Sequence, residues 1–188
     1  VFVSGALVQW LRDNLGIIKT ASDIESLASK VKDNGGITFI PSLSGLAAPY
    51  WNPGATGNLM GITRDTTNGH IARAALEAIA LRCYEVIVEM EKDLNSKFND
   101  LKVDGGASKN NLLLQIQSNI LECNVIRPKI TETTAMGAAF LAGLSTGFFK
   151  DISSLKKIWK KDKIFKPMIN SSAAEIKLLW KKRINQIL

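Results

Sequence analysis

Along this chain, apolar positions alternate with polar ones for a few residues and then recur every three or four. The changes of period mark its elements. Leu7, Trp10, Leu11 and Leu15 fall on one helical face, which predicts a helix opening at Ala6 and ending near Gly16. Trp10 is then a core position rather than a ligand platform. Val1 to Val3, before it, read as the end of a strand. Ser22-Asp23-Ile24-Glu25 carries a capping-box pattern and predicts a second helix to about Lys32, closed by Asn34-Gly35-Gly36. Ile37 to Ile40 and Leu59 to Ile62 are short apolar strands, and between them residues 41–57 form a long loop rich in Gly, Pro, Ser and aromatics. A loop that apolar packs on something, so Tyr50 and Trp51 are expected to plug an interface.

The longest periodic run follows. Asn68 or Thr67 caps a helix over Ile71 to about Leu94, with a stripe of Ile71, Ala75, Ala78, Ile79, Cys83, Val86, Met90 and Leu94. His70 at its start suits a cap or the surface, because the chain offers it no triad partner. Leu101 and Val103 alternate as a strand, Gly105-Gly106 turns, and Ser108 is placed to cap a helix running to about Leu121. Asn124 to Ile126 is a strand stopped by Pro128. Glu132-Thr133-Thr134 caps a small-residue helix to about Leu144, built for close packing. A helix opening at Ser153, an extended Ile164 to Pro167 and a helix over Ala173 to Leu188 complete the pattern. In that last helix Ile176, Leu179, Trp180, Ile184 and Ile187 face one side, and Lys177, Lys181, Lys182 and Arg183 the other.

Charge changes the picture only at the end of the chain. The net charge is +7, yet residues 150–188 hold eleven Lys/Arg against three Asp/Glu, so the basic character belongs to the tail. A solvated helix face explains that excess before nucleic acid or membrane does. No run of 18 apolar residues exists and the start has no signal-peptide pattern. Because the chain also opens without Met, it is expected to be a piece of a longer protein. Cys83 and Cys123 have no His or Cys at metal-ligand spacing and read as buried, reduced thiols.

The strand–Gly105-Gly106–helix unit is the candidate chemistry. Paired glycines let a ligand approach the backbone, and a helix start offers free N–H groups to phosphate. The same pattern also makes a plain turn. Neither G-x-x-x-x-G-K-[ST] nor G-x-G-x-x-G occurs, so a nucleotide here is not held by a P-loop or a dinucleotide fingerprint.

Val103-Asp104-Gly105-Gly106-Ala107 with Asn110-Asn111 and Gln115 to Leu121 resembles the adenosine-side motif of glycerol kinases, in the FGGY carbohydrate kinase family. Gly57 to Ile62 followed by His70 to Glu77 resembles that family's C-terminal signature. Gly45 to Trp51 is similar to the glycerol branch rather than the pentulose branch, and Thr133 to Ala139 is a fourth matching stretch. Asn52 and Thr56 stand where the family has Asp and Arg.

The alternation of elements is α/β. The resemblance implies an actin-like ATPase (ribonuclease H-like) C-terminal domain over residues 1–188, incomplete at its N-terminal edge and ending in a basic helical tail, 150–188. It implies γ-phosphoryl transfer from ATP, with Mg2+, to glycerol, giving glycerol 3-phosphate. Gly5, Gln9, Gly106 and Asn110 match nucleotide-contact positions, while no catalytic residue and no metal ligand is assigned to this chain. Glycerol is expected to meet an N-terminal domain upstream of Val1, so the fragment alone should be inactive. The resemblance further implies a cytoplasmic homo-oligomer, dimer or tetramer, with no nucleic-acid or membrane partner. The alternatives are a pentulose kinase of the same family or a non-catalytic actin-like ATP-binding module.

Overall fold

The computed structural model describes residues 3–168 and 172–188. The first two residues of the strand end expected at Val1 to Val3 lie outside the described residues, and Val3 is buried in the core. In chain order the elements are α1 (Gly5–Asp13), α2 (Asp23–Ala28), β1 (Thr38–Ile40), β2 (Asn58–Met60), α3 (Asn68–Leu94) and β3 (Asp100–Lys102). They continue as α4 (Asn111–Leu121), β4 (Asn124–Pro128), α5 (Thr133–Ser145), α6 (Ile152–Lys156), β5 (Lys161–Phe165) and α7 (Ser172–Ile184). The α/β expectation holds.

β1 and β2 pair antiparallel, with Phe39 opposite Leu59. The second sheet has the order β3-β4-β5: β3 and β4 are parallel, β4 and β5 antiparallel. Parallel neighbours need a crossover, and α4 provides it. Leu114, Val125 and Phe165 form a small apolar cluster between α4 and this sheet. The larger core gathers Leu7 and Leu11 of α1, Ile24 of α2, Ile37 and Ile40, Leu76 and Ile79 of α3, and Ile120 of α4. Trp10 packs edge-on against Phe39 with ring centroids 5.9 Å apart, as expected of a core residue, whereas Leu15 is exposed.

Three expectations about helices change. α3 is buried on nearly all sides from Ala72 to Arg82, not along one stripe, while Met90 and Leu94 stand exposed. It packs against α2, α4 and β1. α2 stops at Ala28 and forms no capping box. Ser22 meets the Thr20 hydroxyl at 2.8 Å instead, and the Asp23 carboxylate accepts from Thr20 N at 2.7 Å. That backbone donor, followed by the Thr20 side chain, holds the Asp23 carboxyl below its usual range. Finally, the small residues of α5 were expected to serve close packing, yet no residue of α5 is buried.

The cap of α3 follows the sequence. Thr67 opens α3, and its backbone N–H donates to His70 Nδ1 at 3.1 Å, which gives His70 the capping role. Residues 41–57 close on themselves through reciprocal Leu46–Asn52 backbone hydrogen bonds of 2.8 Å. Asn52 Oδ1 accepts from Gly54 N at 3.1 Å, so the loop backbone forms with Asn at that position. Trp51 is 72 % exposed, whereas Tyr50 turns inward and donates its hydroxyl to Glu85 of α3.

The basic tail docks through α7, with Trp180 and Ile184 buried. Arg183 departs from the expected solvated face: its Nη1 donates to Gly36 O at 3.0 Å and Met60 O at 2.9 Å. Lys181 and Lys182 remain exposed.

Candidate functional site

A cavity of about 380 Å³ opens between α1, α2 and the start of α4. Its walls include Gly5 and Gln9 from α1, Ser22 just before α2, Glu25 from α2, Leu76 from α3, and Gly106, Lys109 and Asn110 from the segment before α4. All four residues singled out from the sequence, Gly5, Gln9, Gly106 and Asn110, therefore line one space. The fold brings them together because α3 packs against both α2 and α4 and pulls the two ends of that cavity into register.

The glycine turn is shaped for ligand approach. Gly105 has φ +76°, a conformation that side-chain-bearing residues rarely adopt, and its N–H donates to Thr131 O at 2.8 Å. At Gly106 a Cβ would meet no heavy atom within 4 Å. The absence of a side chain there fills no packing need, so it leaves open space for something outside the chain.

Between this turn and α4 the sequence expectation is corrected. Residues Gly106–Lys109 form a 3₁₀ turn, and α4 starts at Asn111. Ser108 does not cap the helix: it is buried and its hydroxyl donates to Gly105 O at 2.7 Å. Asn110 is the cap, its Oδ1 accepting from Leu113 N at 2.8 Å. Both residue types cap helices well, and the one-turn 3₁₀ segment that decides between them leaves no periodic trace. Capping uses the Asn110 carbonyl, which leaves its amide Nδ2 as a donor at the cavity wall.

The capping-box pattern accounts for Glu25 locally and hides it as a cavity residue. Its carboxylate instead crosses to α4 and accepts from Leu112 N at 3.2 Å, a pairing 87 residues apart that no local pattern reveals. Among the described lining residues Lys109 is the one cation. Glu25 already takes the Leu112 N–H and its charge disfavours an anion there, so Lys109 at the mouth is what suits a polar ligand with an anionic end.

Asp104 lies elsewhere. It lines a separate trough between α3 and β3, and it accepts the Thr133 hydroxyl at the start of α5. A carboxylate engaged in that way, outside the cavity, is poorly placed to take a proton from a ligand held in it. Among the described residues no group of three or more His, Cys, Asp or Glu is placed to hold a metal ion. Cys83 and Cys123 are free thiols; Cys123 is buried, Cys83 only partly. Burial pushes both thiols up from their ordinary pKa. No helix among the described residues is long and apolar enough to cross a membrane.

Comparison with known proteins points the same way. Residues 1–146 match the C-terminal domain of the FGGY family of carbohydrate kinases. The glycerol kinase of Borrelia duttonii (strain Ly) is 50 % identical over 188 residues, covering 99 % of this chain and 38 % of that protein. The glycerol kinase of Dechloromonas aromatica (strain RCB) is 54 % identical over 167 residues, 89 % of this chain and 33 % of that one. Among solved structures, Plasmodium falciparum glycerol kinase with ADP superposes with a TM-score of 0.86 at 30 % identity, covering 98 % of this chain and 37 % of that one. A ligand-bound xylulose kinase from Lactobacillus acidophilus gives 0.80 at 26 % identity, covering 97 % and 37 %. The chain thus spans well under half the length of the relatives it matches.

Proposed function

Because the chain belongs to the FGGY family of carbohydrate kinases, with the actin-like ATPase fold of that family, we propose that it forms the nucleotide-binding half of an ATP-dependent glycerol kinase. The reaction is transfer of the γ-phosphoryl group of ATP to a glycerol hydroxyl, giving glycerol 3-phosphate. The observation that carries this reading is the convergence of Gly5, Gln9, Gly106 and Asn110 on one cavity. Two further facts support it: relatives about 50 % identical are glycerol kinases, and the Plasmodium falciparum neighbour was solved with ADP. The glycerol assignment over a pentulose rests on those identities and on the Gly45 to Trp51 loop, since xylulose kinases share the fold at lower identity.

Phosphoryl transfer is catalysed mainly by positioning and charge stabilisation. In this reading the Gly105-Gly106 turn admits the nucleotide against bare backbone, the Asn110 amide donates to it, and Lys109 offsets phosphate charge at the rim. Mg2+ supplies charge neutralisation on the phosphates when bound, but the described residues of this chain assemble no ligand set for it, so none is assigned. In this reading the base that takes the hydroxyl proton and the polyol pocket lie outside this chain. A cytoplasmic enzyme fits the free thiols.

Titration of ADP into the 188-residue chain, beside a glycerol phosphorylation assay, tests the proposal. Weak ADP binding without turnover by the chain alone is expected, with turnover appearing once it is joined to the rest of a kinase of the relatives' length. Turnover by the chain alone would put the base inside this sequence and overturn the division of labour.

A further inference from the structure

The turn that faces the cavity is held from behind by a residue the cavity does not include. In a continuous helix, Ser108 O and Lys109 O would accept from the N–H groups four residues on, at Leu112 and Leu113. Both donors are taken: Leu112 N by Glu25 and Leu113 N by Asn110 Oδ1. The two carbonyls are therefore orphaned by the same contacts that build the cavity wall. Arg127 of β4 supplies what they lack, its Nη1 donating to Ser108 O at 3.1 Å and to Lys109 O at 3.3 Å.

That guanidinium is itself held in place. Its Nε donates to Asp162 Oδ2 at 2.7 Å, and its Cζ lies 5.6 Å from the centroid of the Phe165 ring. Asp162 and Phe165 both belong to β5, in the basic tail. The Arg127 side chain is 14 % exposed, so it is a clamped group rather than a loose surface charge. A planar fork of donors can serve a carboxylate on one edge and two carbonyls on another, which a lysine ammonium cannot.

We propose that Arg127 is a positioning residue for nucleotide binding, fixing the peptide units of Ser108 and Lys109 so that Gly106, Lys109 and Asn110 face the cavity, and that Asp162 sets Arg127 in turn. The inference rests on the nucleotide reading above. It makes strand β5 of the tail part of the nucleotide apparatus, although no described residue of the tail lines the cavity.

The test is steady-state kinetics and thermal melting of an enzyme of the relatives' full length that carries this chain. Arg127→Lys should raise the KM for ATP about tenfold, the loss expected of one charge-assisted hydrogen bond, and leave the KM for glycerol within about twofold. Asp162→Asn should move the ATP KM in the same direction by a smaller factor. Because the Asp162 side chain is 43 % exposed, that variant keeps the question open to measurement if Arg127→Lys fails to fold. Unchanged ATP KM in the folded variants, or equal losses for both substrates, would overturn the proposal. Gly106→Val separates the two levels. If it too leaves ATP binding intact, the cavity does not take nucleotide; if it alone weakens ATP binding, only the role of Arg127 falls.

Discussion

Trp180 of α7 donates its indole Nε1–H to Oε1 of Glu85 of α3 across 2.6 Å, joining residues 95 positions apart in a buried contact. The same carboxylate accepts the Tyr50 hydroxyl from the 41–57 loop and Arg82 Nη1 from its own helix, and Arg82 Nη2 continues to Ala48 O at 3.0 Å. One buried carboxylate thus ties loop, central helix and tail together. Its charge is paired and its oxygens are bonded, which is what makes it tolerable in the core.

Removing the partners should separate their contributions. Trp180→Phe loses the hydrogen bond to a charged acceptor together with part of a buried ring, for a destabilisation of at least about 1.5–3 kcal/mol. Glu85→Ala leaves the Arg82 guanidinium, 5 % exposed, without its counter-charge and should cost about 3–5 kcal/mol. Urea unfolding reads both, and equal midpoints for the wild type and Trp180→Phe would show that the bond contributes nothing. Tail docking would then rest on apolar burial and the Arg183 hydrogen bonds.

Glu77 gives a pH signature. It is 3 % exposed, accepts from Asn34 Nδ2 at 2.6 Å and Arg73 Nε at 2.9 Å, and burial nonetheless pushes its pKa above the ordinary glutamate value. With the folded pKa raised, this group's stabilising contribution is full below the unfolded pKa and is lost as pH rises through the folded one. The stability of the wild type relative to Glu77→Gln should therefore increase as pH falls from 7 toward about 4.3. A gap between the two proteins that stays constant or narrows over that range would contradict the assignment.

The tail's charges divide by what they touch. Arg183 bonds two backbone carbonyls on the β1–β2 side, while Lys181 and Lys182 face solvent. Arg183→Gln should destabilise the fold by about 1–3 kcal/mol, and Lys181→Gln with Lys182→Gln by less than about 0.5 kcal/mol. Gly61→Ala should act like the Arg183 change, since a Cβ there would lie 2.7 Å from the Arg183 guanidinium and 2.3 Å from Gly36 O. Thermal melting checks all three. Salt-sensitive DNA binding by the intact chain, lost in the Lys181/Lys182 variant, would instead mark the tail as a nucleic-acid surface.

These contacts show where sequence legibility ended. The unit from Leu101 through Gly106 to α4 was readable because a two-residue period, a glycine pair and a helical stripe follow one another locally. Gly106 stands out in the glycine turn itself, Gly5, Gln9 and Asn110 are reached by resemblance, and the meeting of the four in space follows from no pattern of spacing. Glu25, Arg127 and Glu85 escaped because each acts on a residue far away in sequence. A capping-box match even gave Glu25 a satisfying local explanation. In α5 the apolar composition was plain, but composition does not say which surface covers a helix, and none of its residues is buried here.

Asn110 carries the sharpest separation of fold from ligand. Its Oδ1 caps α4 through Leu113 N, and its Nδ2 remains at the cavity wall. Asp caps a helix as well as Asn does, and its charge is favourable at a helix start. It offers no donor, however, and it adds a negative charge where phosphate is proposed to sit. Asn110→Asp should therefore melt within a degree or two of the wild type while losing ADP affinity by at least about tenfold. Asn110→Ala removes both functions, so it should lose about 1 kcal/mol of stability together with ADP affinity. Melting curves and ADP titrations on the same two variants decide the matter. An Asp variant that binds ADP normally would show that the Asn110 amide serves the helix alone, and the nucleotide reading would lose one of its four contacts.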